Sequence, residues 1–164
     1  MQKNEGGIKM KNENIVVLTP EGYLELEQEL NDLKLKKRPE VINALKYARS
    51  LGDLSENADY DAARNEQAQL ESRIKELEYK LEHCEVVEHL DKNVANVGST
   101  IVIEYEPGDE EEYKIVGSLE ADPFNNKISN ESPIGKAVIG HKAGETVSVE
   151  SPNGAYDVLL KSVN

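Results

Sequence analysis

With 164 residues, 31 % charged and 38 % apolar, the chain has the length of one domain or two small ones and the composition of a soluble protein. Tryptophan is absent and phenylalanine occurs once, at Phe124, which argues against a large aromatic-lined ligand pocket. A formal net charge of -13 disfavours free association with nucleic acid, so any contact with RNA or DNA must be local or guided by a partner.

The single cysteine, Cys84, excludes an intramolecular disulfide framework and fits a reducing compartment. No run approaches the roughly 18 apolar residues of a membrane span, and the polar N-terminus lacks the apolar stretch of a signal peptide. A cytoplasmic protein is expected. Residues 1–15 read as a flexible extension, within which Met10 is an alternative start.

Thr19-Pro20-Glu21 is a helix start: a hydroxyl N-cap, a proline at the first position and an acid in the first turn. Tyr23, Leu26, Leu30 and Leu33 then recur at helical spacing, and the same phase continues at Ala44 and Ala48. Pro39, within KKRPE, predicts a kink, with the helix carried on to about Arg49. In the second segment Tyr60, Ala63, Gln67, Leu70, Ile74, Leu77, Leu81 and Cys84 alternate three and four apart, an unbroken heptad seam. Helices of roughly 29 and 28 residues would pair as an antiparallel coiled-coil hairpin about 40 Å long. Its seam is bulky at the base and small or polar toward the tip.

After Val94 the period changes to two. Residues 99–105, 112–118, 146–151 and 155–163 read as strands, with tight turns at Gly108-Asp109 and Pro152-Asn153-Gly154. SPIGKAVIG, residues 132–140, opens on Ser-Pro and closes on Gly, a short helix. Residues 93–164 hold 12 acids and 5 bases, against 20 and 14 in residues 1–92, so the positive charge sits mostly in the hairpin. The expected fold class is α+β, with a hairpin over residues 16–92 and a small antiparallel β-sheet domain with one short helix over 93–164.

Between the helices lies LGDLSENADY, residues 51–60, where Asp53 and Glu56 stand three apart at the hairpin end. One account makes them a variant capping box, each acid satisfying a free amide at the helix start. Ser55 and Asn57 are also competent caps, however, and Gly52 permits a tight turn that pushes the loop outward. The other account makes the two carboxylates hard oxygen ligands for Mg²⁺, which binds proteins through one or two carboxylates and takes its remaining ligands elsewhere. Such a tip would complete a metal site on another molecule.

LTPEGY, KKRPEVINALKYARSLGDLSENADYDAAR, YKIVGS and SPIGKAVIG together resemble the bacterial Gre transcript-cleavage factors over about residues 16–164. The resemblance implies an N-terminal coiled coil that enters the secondary channel of a backtracked RNA polymerase. There the tip acids, matched here by Asp53 and Glu56, help hold the second catalytic Mg²⁺ and position the attacking water. The polymerase then cleaves its own nascent RNA, so the factor is not an enzyme by itself. The C-terminal half is implied to be FKBP-like and to dock at the channel entrance through the segment holding Ser132, Pro133 and Ile134. Arg49 and Arg64 match positions that are basic in the family and suit RNA phosphate; a solvated helix face explains them equally. Lys36, Lys37 and Arg38 read as surface charge balancing nearby acids. The mixed charge of DAARNEQAQLESR points to the branch of the family without a large basic face.

A zinc reading of His83, Cys84 and His89 fails on a single cysteine that falls on the seam. Prolyl isomerase activity has no aromatic pocket to support it. A monomer is expected, with self-association through the hairpin left open. Two further functions remain beside cleavage: a channel binder that inhibits polymerase, and a structural or chaperone-like hairpin whose tip acids are mere caps.

Overall fold

The computed structural model describes residues 15–53, 56–88 and 91–164. The expected extension, Ile15 apart, lies outside them, as do Ser55 and His89. Chain order begins with a short strand β1 (Val16–Leu18), followed by helix α1 (Pro20–Asp32), a π-helical turn (Leu33–Lys37) and helix α2 (Arg38–Ser50). Helix α3 (Ala58–Glu82) returns alongside them and leads into strand β2 (Cys84–Val86), which pairs with β1 in parallel. The predicted start of α1 is in place: Thr19 is the N-cap, its hydroxyl accepts from Gly22 N–H, and Pro20 opens the helix.

The hairpin departs from its expected register in its first arm. Proline at 39 has no N–H, and its ring would strike the carbonyl four residues back in an α-helix. Just before it the chain widens into the π turn, where Arg38 N–H reaches Leu33 O, five residues back. One residue is thereby added to the turn, so the seam takes Leu45 in place of Ala44, while Ala48 is buried as expected. Val41, Leu45 and Ala48 line the seam, and Ala44, expected there, is exposed. In α3 the expected seam holds: Ala63, Leu70, Ile74 and Leu77 are buried, while Tyr60, Gln67 and Leu81 are half-buried. Cys84 does not extend it. The helix ends at Glu82, and Cys84 opens β2 half-buried, its Sγ donating to Leu81 O at 3.3 Å. Arg38 with Glu71 (2.8 and 2.9 Å) and Arg73 with Glu29 (2.8 and 3.0 Å) clamp the two arms by paired guanidinium–carboxylate bonds.

The second half is a five-stranded sheet in the order β5-β4-β3-β7-β6, built from β3 (Thr100–Glu104), β4 (Glu110–Val116), β5 (Lys127–Ser129), β6 (Thr146–Ser151) and β7 (Gly154–Val163). Four of these occupy the predicted places. The sheet is not wholly antiparallel: the unforeseen β5 lies parallel to β4 at one edge. Helix α4 (Pro133–Val138) is the predicted short helix and packs on β6. Alternation puts Ile101, Ile103, Val147, Val149, Val158 and Leu160 on one face, where with Val138 they form the globular core. Among the described residues no helix is long and apolar enough to cross a membrane.

Candidate functional site

The hairpin tip is built by a short turn. Helix α2 ends at Ser50, and Gly52 takes φ +88°, the left-handed conformation that lets the chain leave the helix without strain. The cap of α3 is Asn57: its side-chain oxygen accepts from Tyr60 N–H at 3.1 Å, and its amide donates to Ala48 O at 2.7 Å. One side chain therefore starts one helix and holds the end of the other. Glu56 precedes that cap, and Asp53 lies four residues before it, so neither acid is the N-cap of α3. Both are exposed. Together with Leu51, Gly52, Asn57, Ala58 and Asp59 they line one shallow open groove at the very end of the hairpin.

On an adjacent face, Arg49 from α2 and Arg64 from α3 converge on the Tyr60 ring, their guanidinium carbons 5.8 and 5.9 Å from its centroid. A hydrogen bond from Arg49 is the main reason the Tyr60 phenol titrates below its ordinary range; the charges of Arg49 and Arg64 add to it. Lys46 joins them in a groove that also takes in Ile42, Leu45 and Gln67. Lys46 had no place in the sequence reading and Tyr60 only one in the seam, although Lys46 and Arg49, three apart, share a helix face. The basic run behaves differently. Lys36 pairs with Asp32 at 3.1 Å, Lys37 with Glu66 at 2.7 Å, and Arg38 with Glu71, so the acids beside it neutralise it.

Around α4 the three proposed partner residues have unequal freedom. Ser132 is the N-cap, accepting from Gly135 N–H at 3.1 Å and donating to Ser129 O at 2.6 Å. Ile134 is half-buried against the globular core. Pro133 is exposed and, with Glu131, Lys136, Ala137, Ser148 and Glu150, lines a shallow groove. His83 is occupied locally: its ring stacks on Tyr79 at 4.1 Å and its Nδ1 lies 2.8 Å from Tyr79 O.

Asp53 and Glu56 are ligands of the right kind for Mg²⁺. Among the described residues no group of three or more His, Cys, Asp or Glu is placed to hold a metal ion. The carboxylates fit such an ion as part of a larger ligand set, not as the whole of one.

Two family profiles cover the chain: "Transcription elongation factor, N-terminal" over residues 16–86 and "Transcription elongation factor, GreA/GreB, C-term" over residues 90–164. The chain is 48 % identical over 157 residues to transcription elongation factor GreA of Staphylococcus carnosus, covering 94 % of this chain and 98 % of that one. It is 46 % identical to GreA of Limosilactobacillus fermentum, over 94 % of this chain and 99 % of the other. Among solved structures it is similar to the GreA factor homolog Gfh1 of Thermus thermophilus, at 28 % identity and a TM-score of 0.43, with 92 % of this chain and 99 % of that chain covered. The chain belongs to the GreA/GreB transcription elongation factor family.

Proposed function

We propose that this protein is a transcription elongation factor that inserts its hairpin tip into the RNA polymerase secondary channel and stimulates the polymerase's own cleavage of backtracked nascent RNA. Transcription in bacteria places it in the cytoplasm. The observation that carries the reading is the division of labour at the tip. Asn57 caps α3 and holds Ala48, which leaves Glu56 and Asp53 outside the cap on an exposed end where no core forms. Two exposed carboxylates at that end are placed to face another molecule.

Asp53 and Glu56 are the residues that would hold Mg²⁺ jointly with the polymerase active centre. When bound there, the ion supplies activation of water and stabilisation of the oxygens around the cleaved phosphorus. What the chain itself contributes is position. The clamped hairpin carries the two carboxylates at its far end, and Arg49 and Arg64, oriented by Tyr60, offer planar donors to RNA phosphate nearby. On the globular domain, Pro133, with Ser132 and Ile134 shaping its turn, is the proposed contact at the channel entrance.

The test is RNA cleavage in purified, backtracked transcription complexes with Mg²⁺, comparing wild type with the Asp53→Ala/Glu56→Ala double variant. Stimulation by wild type and its loss in a variant that still competes for polymerase is the expected result. No stimulation by folded wild-type protein would refute the cleavage reading. Binding with inhibition would then indicate a channel blocker, and no binding a structural hairpin.

A further inference from the structure

One carboxylate of the globular domain bonds the start of the hairpin. Glu120 sits in a 3-10 turn (Ser118–Glu120) that follows β4, yet its side chain reaches across to the start of α1. One oxygen accepts Thr19 N–H at 2.9 Å and the other accepts the Thr19 hydroxyl in a short hydrogen bond. Thr19 is only 1 % exposed there. The carboxylate thus satisfies donors at a helix N-terminus, where negative charge is favoured. Two glycines admit it. A Cβ on Gly22 would overlap the Glu120 carboxylate, and a Cβ on Gly117 would overlap Val17 O. The same loop then runs to the docking turn. The Ser118 hydroxyl lies 3.1 Å from that of Ser129 and donates to Glu131 at 3.0 Å, and Ser129 O holds the Ser132 hydroxyl that caps α4.

We infer that Glu120 is a positioning residue: by gripping Thr19 it fixes the direction of the hairpin against the globular domain, and so sets where the tip falls once residues 132–134 are docked. The hairpin is long, so a small rotation at Thr19 becomes a large displacement at Asp53. The link to tip placement rests on the proposed function; the grip itself does not. Two variants release it by different routes. Glu120→Ala removes the acceptors. Gly22→Ala leaves Glu120 intact and pushes its flexible carboxylate aside, while placing a better helix former in α1.

The experiment labels cysteines introduced by Asp61→Cys and Asn153→Cys in a Cys84→Ser background and measures the distance distribution between them by pulsed electron paramagnetic resonance. Both variants are expected to broaden the distribution while circular dichroism keeps the helix content of wild type. A width unchanged in either variant overturns the grip. In the cleavage assay, maximal stimulation is expected to fall about tenfold or more, since misplacement by ~1 Å costs up to about 10²-fold. The concentration for half-maximal competition should stay the same. Undiminished maximal stimulation, or a loss confined to binding, would overturn the positioning role. Failure of wild type to stimulate would refute the cleavage reading, and the distance measurement would still decide the grip.

Discussion

Asn57 decides how the tip acids are read. An Asp-x-x-Glu before a helix is ambiguous in the sequence, because Asp, Ser and Asn all cap helices. In the structure the cap is Asn57, which accepts from Tyr60 N–H and also bonds Ala48 O, a contact between residues nine apart. Asn57→Ala should therefore loosen both helix ends, lowering stability by roughly 1–2 kcal/mol for the lost cap and hydrogen bond. Glu56→Ala should leave the thermal midpoint where it is, as followed by circular dichroism; an equal loss from both variants would restore the capping account. Tyr60 offers a second check. Arg49, donating to its oxygen, favours the phenolate, so the folded pKa is depressed. A depressed acid contributes its full stabilisation above its unfolded pKa, near 10, and that contribution is lost as pH falls through the folded value. In tyrosinate absorbance titrations corrected with Tyr60→Phe, Arg49→Ala should move the Tyr60 transition upward. An unmoved transition would mean the two side chains are not coupled. The aromatic bracket is not legible in the sequence because its members come from two helices and meet only when the hairpin closes.

At the scale of elements, the heptad of α3 was legible because nothing interrupts it, and the strands of the sheet because their alternation is regular. The first arm misled at one place. Counting by threes and fours through Lys36 and Pro39 assumes constant helical pitch, and a π turn breaks that assumption by one residue. Leu45 then replaces Ala44 in the seam, making the outer hairpin bulkier than its sequence implied. If the proline imposes the turn, removing both cause and surplus should restore a regular helix. Deleting the exposed Leu35 together with Pro39→Ala keeps Leu33, Val41, Leu45 and Ala48 on one face. That variant is expected to melt at or above the wild-type midpoint. Deleting Leu35 alone forces Pro39 into a regular helix and should cost about 3 kcal/mol. Deleting Ala44 instead, which displaces only the residues beyond it, should disorder the tip. Equal midpoints for the double variant and the Leu35 deletion would show that the proline is not what widens the helix.

Across the whole molecule, the α+β division was legible from the change of period near Val94, but the junction was not. It consists of the three-residue strands β1 and β2, the Glu120 grip, and Val17 and Val87 packed against the globular core, all too short or too distant in sequence to leave a pattern. The two halves keep separate cores of different size. The globular cluster holds ten buried residues, whereas the hairpin cluster holds Val41, Leu70 and Ile74, with Leu30 and Leu33 partly covered beside them. Since local opening costs least where few apolar contacts are lost, the hairpin should open at lower free energy than the sheet. Native-state amide exchange is then expected to be slowest in β3 and β7 and faster in α2. Gly117→Ala sharpens the case, because its Cβ meets the Val17 carbonyl, a backbone atom that cannot rotate away. The strain falls on β1 and its pairing with β2, so exchange should accelerate at Val87, which donates to Leu18 O at 2.9 Å, and through the first turn of α1. The protection of Ile103 and Leu160, deep in the other core, should stay as it is. Uniform acceleration across both halves would mean that the molecule opens as one unit and that the junction is part of a single core.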